Sequence, residues 1–144
     1  MQAMNINVKL CHPDAVMPEY KTAGSVGFDL AVVEEQIIAP NETKFLRTGL
    51  IICVPNGYSL ILAARGSISK KNLILANGIG VVDTDYCGPN DEILLAVRNI
   101  GAEPYTVQKH ERLAQGLFMP VEKTEFEKTD AISETSRGGF GSTG

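Results

Sequence analysis

Two aspartates and a tyrosine follow one short apolar stretch, and their types suggest chemistry more readily than any others in the chain. Asp83 and Asp85 flank a threonine and precede Tyr86, after the run Gly80-Val-Val. A carboxylate beside a phosphate can take a proton from an attacking water, or hold a metal ion directly or through water. If the strand continues through this stretch, the two carboxylates share one face and the tyrosine lies on the other. A solvated strand end or a turn, where aspartate is common, is the alternative interpretation.

The last nine residues, 136–144, are rich in glycine and combine several groups suited to an anion. Glycines leave their N–H groups unobstructed and adopt positive φ at little cost, so such a stretch can wrap around a phosphate. Arg137 adds a planar fork that matches phosphate oxygens, and Ser142 and Thr143 add hydroxyl donors. Phe140 could stack on a flat base. A disordered Gly/Ser tail is the alternative.

Three further segments place polar side chains beside apolar runs. Arg65 and Ser67 follow one such run and could hold a phosphate, or could belong to an exposed loop. Arg112 and Gln115 lie within another such run. They could serve a function, or they could equally well form a structural ion pair and a satisfied edge amide. Asp29 lies between two apolar residues, and burial there would oblige its carboxylate to be paired or hydrogen-bonded.

Short strands, rather than helices, must position these groups. Apolar or alternating runs of a few residues, separated by Gly, Pro and Asn, are typical of an all-β domain such as a barrel or jelly roll. We predict strands over residues 5–10, 36–39, 44–54, 58–63, 73–76, 80–82, 91–98 and 112–121. The turn Pro55-Asn56-Gly57 predicts a β-hairpin between the third and fourth of these strands. One helical turn is predicted within residues 65–71.

Composition narrows the class of protein. The chain has 144 residues, of which 44% are hydrophobic, and this suits one compact domain. A net charge of −4 argues against a duplex-DNA binder but allows a nucleotide substrate. Cys11, Cys53 and Cys87 are odd in number and lack metal-ligand spacing, so we interpret them as reduced thiols of a cytoplasmic protein. We expect no signal peptide and no membrane span.

Taken together, the chemistry-bearing segments resemble the five motifs of the trimeric dUTP pyrophosphatase family, in order and rough spacing. The three most specific are Gly80-Val-Val-Asp-Thr-Asp-Tyr86, Glu111-Arg-Leu-Ala-Gln115 and Gly139-Phe-Gly-Ser-Thr-Gly144. The resemblance implies an all-β, distorted jelly-roll barrel over residues 1–135 and a mobile, site-closing C-terminal motif over residues 136–144. It also implies a homotrimer with three interfacial sites, each drawing on all three chains. The implied reaction converts dUTP to dUMP and pyrophosphate with Mg²⁺, without nucleic-acid or membrane partners.

The same resemblance implies roles for individual residues. Asp83 matches the aspartate that orients and activates the attacking water. The uracil and deoxyribose would be held by Asn77, Gly80, Tyr86 and Phe140. The phosphates would be held by Arg65, Gly66, Ser67, Gln115, Arg137, Gly141, Ser142 and Thr143. No direct protein ligand is expected for Mg²⁺, which the triphosphate and waters would hold, with Asp29 supporting the water shell.

The chain departs from the family pattern in three segments. Gly66 occupies the position of a serine that commonly approaches the α,β-bridging oxygen, so the neighbouring serine or a backbone N–H would have to substitute. Cys87 replaces a common arginine, and residues 88–92 look longer than usual. The fifth motif is about two residues short between Arg137 and Phe140, so the arginine would reach the γ-phosphate by a tighter path.

Two other functions fit the same scaffold. A dCTP deaminase-type enzyme, or a combined deaminase–pyrophosphatase, would need groups that protonate the cytosine ring and activate water at C4, and the sequence shows no such addition. A non-catalytic dUTP-binding protein would bind the nucleotide with magnesium but release no pyrophosphate. Gly66 gives some weight to this second alternative.

Overall fold

Antiparallel strands make up almost all of the regular structure in the computed structural model, which describes residues 3–144. The strands are β1 (Val8–Leu10), β2 (Phe28–Ala31), β3 (Gln36–Ile38), β4 (Thr43–Arg47), β5 (Leu50–Ile52), β6 (Tyr58–Ala64), β7 (Leu73–Leu75), β8 (Gly80–Val82), β9 (Leu94–Asn99), β10 (Tyr105–Val107) and β11 (Arg112–Pro120). One 3₁₀ helix, Gly66–Lys71, follows β6. No helix in this described part of the chain is long and apolar enough to cross a membrane. The predicted all-β, jelly-roll class is confirmed.

Two sheets and two strand pairs organise the molecule. One sheet has the order β2-β11-β6-β8 and the other has the order β4-β9-β7, while β1 pairs with β5 and β10 pairs with β3. The longest ladder joins β6 to β11, from Ala64 opposite Ala114 to Tyr58 opposite Pro120. β8 lies on the other side of β6, with Val82 opposite Leu60. This ladder positions most of the residues considered below.

The core forms because one face of each strand is apolar. In β9, Leu95, Val97 and Asn99 are buried, whereas Leu94 and Arg98 on the other face are exposed. Completely buried leucines and isoleucines from eight strands or their flanks pack in one cluster, which includes Leu30, Ile38, Leu46, Leu50, Ile52, Leu60, Leu73, Ile93, Leu95 and Leu113. Each such side chain contributes about 1.5–3 kcal/mol relative to exposure in water.

The predicted strand over residues 44–54 is wrong, because the chain leaves one sheet and enters another at Gly49. This residue has a φ of +68°, which is costly for any residue with a Cβ. A Cβ there would also lie 2.7 Å from that of Ala15 and 2.8 Å from that of His12. β4 therefore pairs with β9, and β5 pairs with β1.

The predicted hairpin is wrong as well, although its turn exists. The Tyr58 N–H donates to the Pro55 carbonyl at 3.2 Å, which closes the turn. The strands on its two sides then diverge: β5 pairs with β1, while β6 pairs with β11 and β8. Other predicted strands differ mainly at their ends, since residues 5–10 shorten to β1 and residues 91–98 become β9. The strands β2 and β10 were not predicted.

Candidate active site

A surface groove of about 310 Å³ collects residues from three of the five chemistry-bearing segments. Its lining includes Asp29 from β2, Arg65 and Gly66 after β6, and Gln115 from β11. Lys21, Ser25, Val26 and Gly27 from the loop before β2 complete it. These segments meet because β11 lies between β2 and β6, so that residues of all three strands come together at one end of the strands.

The Asp29 carboxylate is the electrostatic centre of this groove. Its side chain is only 10% exposed, and its Oδ1 lies 2.9 Å from Nε of Arg65. Its Oδ2 lies 3.3 Å from Nη1 of Arg112, without the alignment of a hydrogen bond. A buried carboxylate requires such pairing. Since two guanidinium groups face one carboxylate, a positive charge remains for an anion.

Two backbone features fix the arginine and glutamine beside this carboxylate. Nη1 of Arg65 donates to the Arg112 carbonyl at 3.2 Å, and Nε2 of Gln115 donates to the Ala64 carbonyl at 3.1 Å. Gly27 leaves the space that the glutamine occupies, because a Cβ at Gly27 would lie 2.5 Å from Gln115 Oε1. The alternative of a structural ion pair at Arg112 and a satisfied amide at Gln115 fits these contacts, although β11 is an internal strand and not an edge strand.

Gly66 and Ser67 open the 3₁₀ helix at the rim of the groove, and both are exposed. A Cβ at Gly66 would meet no heavy atom within 4 Å. The backbone there is not in the left-handed region, which is occupied elsewhere by residues such as Gly49 and Gly57. Nothing in the local geometry therefore requires glycine at this position.

Asp83 and Tyr86 lie in a turn rather than on a strand. β8 ends at Val82, and the Tyr86 N–H donates to the Asp83 carbonyl at 3.3 Å. The expectation that Asp83 and Asp85 share a strand face is therefore wrong, and the turn alternative is correct. The Asp83 side chain is exposed, and within residues 3–144 its carboxylate makes no ion pair.

Glu92 anchors the loop that carries these residues, and the sequence analysis assigned it no role. The Tyr86 hydroxyl donates to the Glu92 carbonyl at 3.0 Å. The Glu92 carboxylate accepts from Nε of Arg47 at 3.0 Å and from the Gly49 N–H at 2.7 Å. This carboxylate raises the pKa of Arg47 by hydrogen bonding and by charge. The two partners are part-buried and lie 45 positions apart in the sequence, so no local sequence pattern signals the pair.

Asn77 and Gly80 frame a second turn at the start of β8. The Gly78 N–H donates to the Leu75 carbonyl at 3.0 Å, and Asn77 is exposed at the tip. Gly80 pairs with Leu62 in the sheet, and a Cβ there would lie 3.0 Å from the leucine side chain. The close approach accounts for glycine at the start of this strand.

The Asp83 end and the Arg65 end of β6 are far apart within one chain. Val82 lies opposite Leu60, so Asp83 comes level with Ser59, six residues before Arg65. At about 3.4 Å per residue, this separation is about 20 Å. The chain therefore presents two half-sites, one at each end of the β6 ladder.

The C-terminal residues lie on neither half-site. Residues 121–144 form no strand or helix, and all are exposed. The Ser142 N–H donates to the Gly139 carbonyl at 3.2 Å, which makes one internal turn. Phe140 is fully exposed at a φ of +50°, between Gly138 and Gly141 at φ values of +84° and +90°. Arg137, Ser142 and Thr143 are therefore not brought beside Arg65 or Asp83 here.

Comparison with known proteins gives a consistent result. A family model described as dUTPase matches residues 14–144. A deoxyuridine 5'-triphosphate nucleotidohydrolase of Helicobacter pylori strain J99 is 38% identical over 144 residues, covering 98% of this chain and 97% of the relative. The structure of a dUTPase from Streptococcus mutans is 31% identical, with a TM-score of 0.75 over 83% of this chain and 98% of that chain.

A mutant dUTPase of Staphylococcus bacteriophage 80alpha, determined with dUpNHpp, has a TM-score of 0.87. The match covers 99% of both chains at 23% sequence identity, which supports the fold alone.

Proposed function

Because the chain belongs to the dUTPase family, we propose that it hydrolyses dUTP to dUMP and pyrophosphate in a homotrimer. The observation that carries this proposal is the pair of half-sites at opposite ends of β6. One has cationic groups around a groove, and the other has an uncompensated carboxylate beside a tyrosine. The three free cysteines of the chain fit a reducing compartment such as the cytoplasm.

The groove suits the triphosphate. Arg65 offers guanidinium donors next to the Gly66 and Ser67 backbone and hydroxyl groups, and Gln115 adds an amide held by the Ala64 carbonyl. Arg65 is part-exposed, at 31% of its side chain, so a phosphate can reach it while its Nε remains paired with Asp29. In this proposal the groove binds the phosphates and orients the α-phosphorus for in-line attack.

The Asp83 loop suits the water and the sugar. Asp83 is exposed and unpaired in the described chain, so its carboxylate can accept a proton from a water. The water oxygen then bonds to the α-phosphorus as the bond from that phosphorus to the α,β-bridging oxygen breaks. Tyr86, held by the Glu92 carbonyl, would pack under the deoxyribose and leave no room for a 2′-hydroxyl. Asn77 and the backbone after Gly80 would bind the uracil edge.

The two half-sites can act on one nucleotide only if they come from different chains. A base that works through one water must lie within a few ångströms of the α-phosphorus, whereas Asp83 and Arg65 of one chain are about 20 Å apart. A symmetric closed ring of copies places the Asp83 end of one subunit against the Arg65 end of another. A trimer lets the third chain supply the tail, with Phe140 over the base and Arg137, Gly141, Ser142 and Thr143 on the γ-phosphate.

The residues of the groove fit a magnesium ion that arrives with the nucleotide. Mg²⁺ retains several waters and commonly combines one or two carboxylates with substrate phosphates. Asp29 Oδ2 is buried and lacks an aligned hydrogen-bond partner, so it can accept from a water of the ion's shell. When bound, Mg²⁺ would offset charge on the triphosphate oxygens. Asp29 meanwhile keeps Arg65 in place through the 2.9 Å contact.

The decisive experiment measures pyrophosphate release from dUTP, UTP, dTTP and dCTP with Mg²⁺. We expect rapid release from dUTP and little from UTP or dCTP, because the tyrosine would exclude a 2′-hydroxyl and the backbone would bind the uracil edge. Release from dTTP, which presents the same edge, measures whether the site also excludes a 5-methyl group. Deamination of dCTP would support the deaminase alternative instead. Calorimetric binding of dUTP without pyrophosphate release would support the non-catalytic alternative.

A further inference from the structure

Two cysteines far apart in the sequence line one surface cleft. The cleft has a volume of about 380 Å³ and lies beside the loop that carries Asp83 and Tyr86. Cys53 and Cys87 both contribute to it, and both are half-buried free thiols. Neither takes part in the proposed hydrolysis, and Cys87 occupies the position where the family commonly has arginine.

The two thiols differ in how firmly the backbone holds them. Cys53 directly follows β5, and its N–H donates to the Asn7 carbonyl at 3.0 Å, which continues the ladder with β1. Cys87 lies in the irregular loop after β8, where its Sγ donates to the Thr84 carbonyl at 3.8 Å. The Gly88 N–H, next along, is held by the Asp91 carboxylate at 2.7 Å. Cys53 is therefore held by a strand ladder, whereas Cys87 is held by contacts within a loop.

The surroundings of Cys87 raise the pKa of its thiol, and the Cys53 thiol is part of those surroundings. Hydrogen bonding with the Cys53 thiol is the largest cause that raises the pKa of Cys87, followed by burial and by the charge of Cys53. Asp91 and Asp85 raise it further through their negative charge. Below this raised pKa the thiol is protonated and reacts slowly, because the thiolate is the nucleophile.

We propose that Cys53 and Cys87 form a reversible intramolecular disulfide when a peroxide is present, and that this bond pulls the Asp83–Tyr86 turn out of its catalytic position. The disulfide itself is independent of the proposed function, whereas its effect on hydrolysis rests on it.

The chemistry balances with hydrogen peroxide as the oxidant. One thiolate attacks a peroxide oxygen, the O–O bond breaks, and a sulfenic acid and hydroxide form; the hydroxide takes up the proton released by the thiol and leaves as water. The second thiolate attacks the sulfenic sulfur, the S–O bond breaks, and a second water leaves after protonation. Two thiols and one peroxide give one disulfide and two waters, and a dithiol reductant returns both thiols.

In this proposal, formation of the bond shifts the loop. The Sγ atoms have to approach to about 2.05 Å with a Cβ–S–S–Cβ dihedral near 90°, and the Cys53 backbone is tied to β1. Cys87 immediately follows Tyr86, whose hydroxyl bond to the Glu92 carbonyl at 3.0 Å fixes the loop. We expect hydrolysis of dUTP to fall by about tenfold or more, because displacements near 1 Å are enough for such losses.

The test treats the reduced full-length protein with hydrogen peroxide and follows intact mass, peptide mapping and dUTP hydrolysis together. We expect a loss of two hydrogens per chain, a peptide linking Cys53 to Cys87, and unchanged monomer mobility on a non-reducing gel. Formation should accelerate as pH rises toward the thiol pKa. Dithiothreitol should restore both the mass and the rate. Cys11→Ser is the matched control and should behave as the wild type, whereas Cys87→Ser should keep its activity after peroxide treatment.

Each contrary result has a definite meaning. Oxidation to separate sulfinic acids, or bonds between chains, would overturn the proposed pair. A Cys53–Cys87 bond with an unchanged rate of dUTP hydrolysis would overturn the effect on the loop. The reduced protein is assayed first, so that inactivity before oxidation counts against the proposed function and not against the disulfide. Since mapping uses the wild-type chain, the test does not depend on the folding of a cysteine variant.

Discussion

At the scale of single residues, the two aspartates of the proposed site have opposite environments. Asp29 is 10% exposed and lies within ion-pair distance of Arg65 and Arg112. Asp83 is exposed and has no cationic partner in the described chain. The two guanidinium groups occupy the Asp29 carboxylate, whereas the Asp83 carboxylate is open to a water molecule in the described chain. These environments fit the proposed roles, with Asp83 as the base and Asp29 as a positioning residue.

We expect Asp83→Asn to lower turnover of dUTP by about 10²–10⁴-fold, the range typical for loss of a general base. The amide preserves shape but cannot take the proton of water. The dissociation constant of dUTP with Mg²⁺, measured by calorimetry, should change little. Asp85→Asn, two positions away in the same turn, is the control and should retain activity. Wild-type turnover in the Asp83 variant would show that another group is the base.

We expect Gly66→Ser to raise the turnover number for dUTP by several-fold, and by about tenfold at most, because it supplies one hydroxyl donor near the bridging oxygen. The structure leaves room for it, since a Cβ at this position meets no atom within 4 Å. Gly66→Ala adds the Cβ without the hydroxyl and is the control. Equal turnover in the two variants would mean that Ser67 or a backbone N–H already performs this function.

At the scale of elements, strands with one apolar face were predictable and their partners were not. β6 and β11 were predicted nearly to their ends, because each is a short and largely apolar run. The break at Gly49 was missed, since a lone glycine inside an apolar run does not reveal a φ of +68°. The pairing of β5 with β1 rather than β6 depends on contacts between distant segments. Strands that are consecutive in the sequence usually pair, so the local pattern favoured the wrong partner.

We expect Gly27→Ala to weaken catalysis through Gln115 rather than through the fold. The new Cβ would lie 2.5 Å from Oε1 and 3.2 Å from Cδ of Gln115. Because this is the end of a flexible side chain, the free energy of unfolding should change by less than about 1 kcal/mol. The kcat/KM for dUTP should fall as far as in Gln115→Ala, and the double variant should be no worse. Gly24→Ala, where a Cβ meets nothing within 4 Å, is the control; an equal loss there would contradict the mechanism.

We expect removal of residues 136–144 to lower kcat/KM for dUTP strongly while the fold and the subunit number persist. These residues are exposed and bond only among themselves in the described chain, so the thermal midpoint should shift by less than about 2 °C. Light scattering would report the subunit number. Dissociation of the truncated protein would show that the tail holds the assembly together, contrary to this prediction. The predicted boundary at residue 135 is tested by the same comparison.

At the scale of the whole molecule, residue types were easier to predict than their arrangement. Asp83, Arg65 and Gln115 stand out in the sequence by their residue types. Their locations do not, because Asp83 lies at one end of the β6 ladder and the other two lie at the other end, through pairing between distant segments. Glu92 and Arg47, which fix the Tyr86 loop from a distance along the chain, carry no such signal. A single chain thus contains every side chain of the proposed site, but its two half-sites lie too far apart to act on one nucleotide.

We therefore expect two inactive variants to restore each other when their subunits mix. Asp83→Asn retains an intact groove, and Gln115→Ala retains an intact base loop, so a mixed trimer can join the intact halves of each. If each site takes its groove and its base loop from different subunits, random mixing of equal amounts makes both halves intact in about a quarter of sites. The mixture, refolded together from denaturant, should show about a quarter of wild-type turnover, and each variant refolded alone should show almost none. Absence of recovery in a mixture proven by mass spectrometry to contain hybrid trimers would mean that both halves come from one chain. Such an arrangement would require the ends of β6 to approach far more closely than about 20 Å.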